Sequence, residues 1–309
     1  MNFLVSICCI TYNHEKYITD AIESFLMQKT NFNFEIIIHD DASTDNTADI
    51  IREFAKEYPI VKPIFQSENQ YSKDISISES YVYPKATGKY IALCEGDDYW
   101  VDPYKLQKQV DYMEANPSCS LCCHSGLKVN SDNSEIIEVM RPHKEGYIST
   151  GDIIDRGNNL PTASFLFPRN MIKELPNFLK VSPVGDYPLV MLLASKGTVY
   201  YMDTVMSAYR VGDPGSWTSR VSSMKAEHKI EIAKGIISML DEFDKYSKFK
   251  YSKYVKKTKF SRINQMLLLS EKGIRDNRYK EHYDLLNTKY KIKLHIRSLK
   301  KILKHKDPI

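Results

Sequence analysis

Two clusters of carboxylates stand in the first third of the chain, Asp40-Asp41 and Glu95-Gly96-Asp97-Asp98, and each follows a short apolar run. Acids placed there have two physical uses. One is local: they close turns and cap helices. The other is to hold a hard cation, because Mg2+ and Mn2+ prefer oxygen and accept one or two carboxylates beside a substrate's phosphates. A protein carboxylate cannot approach a diphosphate unless such a cation lies between them. Gly96, with no side chain, admits a close backbone approach. Thr11-Tyr12-Asn13 follows an earlier apolar run and adds a hydroxyl, an aromatic ring and an amide.

These groups matter together only if the fold brings them together. Val5 to Thr11, Phe34 to Ile38, Val61 to Phe65 and Lys89 to Cys94 read as buried strands. Between them, Tyr17 to Gln28 places Ile18, Ala21, Ile22, Phe25 and Leu26 on one helical face. A second helix, capped by Ser43 or Asp45, runs through Lys56 before Pro59, and Ser76 to Lys85 is expected to be a third. Strands alternating with helices predict an α/β fold, with a Rossmann-like, mainly parallel sheet flanked by helices. In such open sheets ligands bind beyond the carboxyl ends of strands, where all three polar groups would lie. Further on, helices are expected over Pro103 to Ala115 and Asp186 to Ser195, and strands over Cys119 to Val129 and Val199 to Val211. Hairpins and loops are expected from Asn130 to Thr150, and helical, basic, Tyr-rich text from about Ser216.

The three groups, in this order and spacing, resemble the family 2 glycosyltransferases of the GT-A fold over roughly residues 3–215. The resemblance implies a catalytic domain at 1–215 that binds a nucleotide-sugar, followed by a basic helical region at 216–309. It places Thr11, Tyr12 and Asn13 around the nucleoside. One of Asp40 and Asp41 would hydrogen-bond the base, typically uracil. Asp97 and Asp98 would lie near ribose, diphosphate and a Mg2+ or Mn2+ ion, with Asp97 as the first choice of ligand. Glu95 replaces the first acid of the family's DxD-type motif, which keeps a carboxylate on a longer arm.

On the acceptor side, Asp186 in Val184-Gly185-Asp186-Tyr187-Pro188-Leu189 resembles the family's catalytic base. An acceptor hydroxyl must lose a proton as it attacks the anomeric carbon, and a single displacement inverts that carbon. Asp186 also suits a helix cap, and both roles fit the position. Thr162-Ala163-Ser164 resembles the segment that touches the acceptor or donor sugar, or is an ordinary buried strand. Tyr209 to Trp217 resembles a Tyr-Arg-Val-His-x-Gly-Ser segment in which Gly212 replaces the usual His, so that Arg210 or Trp217 would take over a diphosphate contact.

The net charge of +4 conceals an asymmetry: residues 1–215 hold 19 Lys+Arg against 29 Asp+Glu, and residues 216–309 hold 24 against 10. A basic region of that kind suits an anionic membrane surface or a lipid diphosphate rather than nucleic acid, which the acidic body would repel. A helical appendage with a solvated charged face, or a homodimer contact, fits equally well. The start of the chain lacks a basic segment ahead of a long apolar run, and no apolar stretch approaches ~20 residues. A cytoplasmic protein, peripheral at the inner face of the plasma membrane, is therefore expected. The six cysteines mostly lie in strand-like text and are expected to be buried, reduced thiols. Absence of Gly-x-Gly-x-x-Gly after the first strand argues against a dinucleotide-dependent oxidoreductase, and absence of a Gly-rich basic loop there argues against a sugar-phosphate nucleotidyltransferase. An inverting transferase in surface-polysaccharide assembly is the reading, acting on a glycan or glycolipid. The alternative is a nucleotide-sugar-binding homologue without catalysis.

Overall fold

The computed structural model describes residues 2–156, 159–213, 215–269, 280–284, 288–289, 291–292 and 294–296. The strands are β1 (Val5–Thr11), β2 (Phe34–Asp40), β3 (Val61–Phe65), β4 (Tyr90–Leu93), β5 (Tyr99–Trp100), β6 (Cys119–Asn130), β7 (Ile136–Met140), β8 (Gly146–Ile148), β9 (Leu166–Pro168) and β10 (Thr198–Val211). The helices are α1 (Ile18–Leu26), α2 (Thr47–Glu57), α3 (Lys105–Ala115), α4 (Thr150–Arg156), α5 (Asn177–Lys180), α6 (Asp186–Lys196), α7 (Trp217–Ser223), α8 (Ala226–Tyr246), α9 (Ser252–Leu269) and α10 (Lys280–Asp284).

One sheet runs in the order β3-β2-β1-β4-β9-β6-β10-β5, with β7 beside β6 and β8 beside β10. The first four strands are parallel, as their unbroken apolar text requires when both faces are covered. Register then fixes the site, because Thr11 stands opposite Asp40 and Cys8 opposite Leu93. β9 enters antiparallel beside β4, and β6 and β10 run parallel to each other beyond it.

Helix α1 buries the face expected of it: Ile18, Ala21, Ile22 and Phe25 are fully buried against the sheet. Phe25 meets Trp100 edge-to-face at 4.9 Å, the geometry that aromatic quadrupoles favour. Asp45 accepts the Thr47 amide at 3.0 Å where α2 begins. The helix expected over Ser76 to Lys85 does not form as such. Residues Ser78–Val82 make one wide turn and Tyr83–Lys85 a tight one. Pro84 explains the break, since it has no N–H and its ring clashes with the carbonyl four residues back.

The chain divides into two compact units. The first comprises Met1–Ile153, Asn158–Leu175 and Leu189–Ser216, and holds the sheet. The second comprises Ile154–Gly157, Pro176–Pro188 and Trp217–Ile309, so two short internal segments join the C-terminal helices. Within the second unit Ile230, Ala233, Ile237, Ile263, Met266 and Leu267 form a core. Phe178 packs on Phe243 at 5.2 Å, and Gly235 leaves room for Pro183, whose ring carbon lies 3.0 Å from where a Cβ would stand. Among the described residues no helix is long and apolar enough to cross a membrane. The expected basic stretch beyond residue 296, and Pro214, lie outside the described residues.

Candidate active site

At the carboxyl ends of β1 and β2 the two loops are laced together. Asn13 stands in the left-handed region at φ 55°, which Asn tolerates better than most residues. Its amide donates to Ser43 Oγ at 2.9 Å and its side-chain oxygen accepts the Thr44 amide at 2.8 Å. The His14 amide donates to Thr47 Oγ1 at 2.8 Å, and Glu15 accepts the Asn46 amide at 3.0 Å. Asp45 accepts the amides of Glu15 and Thr47. Burial alone would raise its carboxyl pKa, but these bonds and the Thr47 hydroxyl outweigh it and hold the pKa below the usual range.

Both acids of the second strand's end are occupied by the chain itself. Asp40, buried, accepts the amide and the hydroxyl of Ser43 on its two oxygens. Asp41, also buried, accepts the Gln70 amide at 2.8 Å on one oxygen and the Tyr71 amide at 3.0 Å on the other. It thereby ties the loop after β3 to the site. A carboxylate offers about four lone-pair sites, so each acid keeps capacity for a further donor. Tyr12 is 42% exposed.

The loop after β4 closes over the first one. The Gly96 amide donates to the Ile10 carbonyl at 2.9 Å. A Cβ on Gly96 would stand 2.7 Å from Thr11 Cβ and Oγ1 and 3.1 Å from His14 Nδ1. Thr11 Oγ1 and His14 Nδ1 are both buried with no hydrogen-bond partner among the described residues. Asp97 Oδ2 lies 3.9 Å from His14 Nε2, each side chain keeping about a fifth of its surface exposed. Asp98 points inward and is 2% exposed. Burial first, then the charges of Asp97 and Glu95, push its carboxyl well above the usual range, against the pull of the Arg210 amide.

Arg210, in β10, holds this loop in place. Its amide donates to Asp98 at 3.0 Å and its guanidinium to the Asp97 carbonyl at 2.6 Å. The remaining nitrogens bond Asn133 at 3.1 Å and Asp20, while the rings of Tyr99 and Tyr17 lie 4.6 and 5.0 Å away. The side chain is 2% exposed. The diphosphate contact expected of Arg210 is thus corrected: every face of its guanidinium is engaged within the fold. Trp217 opens α7, but its side chain lies outside the described residues. Tyr17 donates to Asp213 at 2.6 Å. Burial, then this bond, raises the phenol to about 12.

Ala163 and Ser164, expected at the acceptor, are fully buried in a short turn. The Ala163 carbonyl accepts Trp100 Nε1 at 2.9 Å, and the Ser164 carbonyl accepts Gln109 Nε2 at 2.8 Å. Their side chains are closed to a substrate, which leaves Thr162 as the partly exposed member of the three. Asp186 belongs to the second unit and opens α6, one oxygen accepting the Tyr187 amide at 2.7 Å. All six cysteines are buried and free.

Sequence reasoning missed His14 beside Asp97, and missed Asp20 and Asn133 as partners of Arg210. Among the described residues no three His, Cys, Asp or Glu side chains converge as a metal cage, whereas Asp97 is a partly exposed carboxylate in the loop between β4 and β5. That donor set suits an ion completed by substrate phosphates and water.

The family model described as Glycosyl transferase family 2 matches residues 6–166. The uncharacterized Mycobacterium tuberculosis protein Rv1520 is 36% identical over 219 residues, covering 70% of this chain and 61% of its own length. The chain therefore matches less than two thirds of that relative. WfaP of Escherichia coli, named a UDP-Glc:alpha-D-GlcNAc-diphosphoundecaprenol beta-1,3-glucosyltransferase, is 40% identical over 111 residues, covering 36% of this chain and 41% of its own. Among solved structures, S. aureus TarS residues 1–349 in complex with UDP-GlcNAc superposes with a TM-score of 0.62 at 14% identity, covering 93% of this chain and 77% of TarS. That likeness shows a shared fold, the GT-A type of sheet flanked by helices.

Proposed function

Because the chain belongs to glycosyl transferase family 2, we propose that it moves one sugar from a nucleoside diphosphate donor, a UDP-sugar, to a glycan or lipid-linked acceptor. The observation that carries this reading is the meeting of the β1, β2 and β4 loops, with Asp97 a partly exposed carboxylate on the last of them, beside His14. Tyr12 stacks on the nucleoside, and Thr11 and Asn13 line its pocket. A lone pair left over on Asp40 or Asp41 reads the base. Glu95 reaches the ribose.

A Mg2+ or Mn2+ ion, when bound, offsets the diphosphate charge and eases departure of the leaving group. Asp97 holds it directly, and Asp98 supports the loop from behind with the Arg210 amide on one oxygen. Asp186 takes the proton of the attacking hydroxyl, which gives inversion, and Thr162 contacts the acceptor. The name of WfaP supports a uridine donor and a lipid-diphosphate acceptor, and the TarS complex supports a UDP-sugar. In this reading 1–215 is the catalytic domain, 216–309 is a basic helical region, and the protein works at the cytoplasmic face of the plasma membrane in surface-polysaccharide assembly.

The test is a screen of nucleotide-sugars for thermal stabilisation with and without Mn2+, followed by transfer assays. A uridine diphosphate sugar should stabilise only with the ion, and Asp97→Asn should remove that dependence. Asp186→Asn should keep donor binding and lose transfer. Stabilisation by no nucleoside diphosphate compound, or full transfer by Asp186→Asn, would overturn the corresponding part.

A further inference from the structure

The turn between α8 and α9 exposes a large apolar ring in a strained backbone. Phe249 is 65% exposed and Tyr246, one helical turn before it, is 41% exposed. Lys248 and Phe249 are consecutive left-handed residues, at φ 51° and 61°. Glycine is the usual occupant where a helix ends this way. A bulky aromatic held left-handed is sterically strained. Its hydrogen bonds hold it there: the Phe249 amide donates to the Asp244 carbonyl at 2.8 Å and the Lys248 amide to the Lys245 carbonyl at 3.0 Å. Asp244 accepts Ser252 Oγ on both carboxylate oxygens at 2.8 Å, closing the turn from the other helix. Below it, Phe243 is fully buried and stacks on Tyr251 at 6.1 Å. The exposed ring therefore stands on a rigid base.

The charge that follows it is basic, while the acids just before it, Glu242 and Asp244, are engaged by Lys245 and Ser252. Lys245, Lys248, Lys250, Lys253, Lys256 and Lys257 are all exposed, and residues 245–257 contain no acid. Lys245 and Lys257 pair with Glu242 and Asp155. Among the described residues Lys248, Lys250, Lys253 and Lys256 have no carboxylate within ion-pair distance. Basic side chains ringing an exposed aromatic match an anionic leaflet, where the ring enters the acyl boundary and the ammonium groups stay at the phosphates. A nucleic acid would be met by the lysines but would leave Phe249 in water.

We propose that the α8–α9 turn is a membrane-insertion tip, with Phe249 as the wedge and Lys248, Lys250 and Lys253 as contacts to anionic phospholipid headgroups. This deepens the membrane-face part of the reading above and is independent of its chemistry.

The experiment is co-sedimentation of the full chain with vesicles of phosphatidylcholine, alone and with phosphatidylglycerol, in the absence of any donor. Binding should require the anionic lipid and fall with added salt. Phe249→Gly should weaken it about tenfold, a Phe-sized loss of apolar burial, while holding or raising the melting temperature because the strain is relieved. Phe249→Trp should keep binding. Each of Lys248→Gln, Lys250→Gln and Lys253→Gln should weaken it roughly fivefold. Vesicle binding unchanged in Phe249→Gly, equal binding to neutral vesicles, no binding at all, or binding to duplex DNA in place of vesicles would each overturn the proposal. Donor-dependent thermal stabilisation, measured in the same variants, separates this outcome from failure of the glycosyl-transfer reading.

Discussion

Gly96 lies so close to Thr11 that a Cβ on it would stand 2.7 Å from the threonine Cβ and Oγ1. The glycine is thus required by loop-on-loop packing between the ends of β1 and β4, before any ligand is considered. Gly96→Ala must push the Asp97 loop outward, and overpacking of this kind costs typically 1–3 kcal/mol. Thermal unfolding should show that loss, and the KM for donor should rise more than kcat falls. An alanine variant with wild-type donor KM would show that this contact does not set the loop's position.

Arg210 acts on the same loop from the far side. Arg210→Met takes the guanidinium donor from the Asp97 carbonyl and the partner from Asp20, which is 44% exposed, and a buried acceptor left unsatisfied costs about 1–3 kcal/mol. Arg210→Lys keeps charge but not the three-way reach to Asp97, Asp20 and Asn133. Donor affinity should therefore fall in the order wild type, Lys, Met when measured by calorimetry below the melting temperature of each. Equal affinity in all three would remove Arg210 from the support of the site.

The ends of β1, β2 and β4 were legible because buried parallel strands are written as apolar runs, and polar residues at their carboxyl ends have only one edge to occupy. The role of Arg210 was not, since its partner Asp20 lies 190 positions away and nothing local marks the pair. Asp41 illustrates the same limit: its type suggested a base contact, while the amides of Gln70 and Tyr71 that fill both oxygens carry no side-chain signature. Ala163 and Ser164 were read through neighbouring sequence, but their carbonyls are fixed by Trp100 and Gln109 from distant elements. Pro84 was a local signal against a regular helix, and the expectation of one over Ser76 to Lys85 passed it over.

Ala42 occupies the left-handed region at φ 60°, between the two acids of β2 and Ser43. An alanine there carries a penalty of about 1 kcal/mol that glycine avoids. Offset by the extra freedom glycine gives the unfolded chain, Ala42→Gly should be neutral to stabilising, shifting the melting temperature upward by at most ~4 °C. A drop of several degrees would mean that the Ala42 methyl makes packing contacts worth more than the strain.

Lys105 is fully buried, its ammonium 4.0 Å from the centre of the Trp100 ring and donating to Gln109 Oε1 at 2.8 Å. Burial is the main cause that lowers its pKa from 10.5 to about 7. The native lysine thus gives up its proton near pH 7, while the unfolded chain keeps it until about 10.5. Between those values the unfolded state binds more protons, so this residue's contribution to stability rises with pH; below about 7 its full penalty is present. Lys105→Met fills similar volume with no charge to bury and should be more stable than the wild type at pH 6, on the order of a few kcal/mol. The advantage should shrink steadily as pH climbs toward 10. Urea unfolding of both proteins at several pH values measures it directly. A stability difference that stays constant across that range would show that Lys105 keeps its proton in the folded state, held by the Trp100 ring and Gln109.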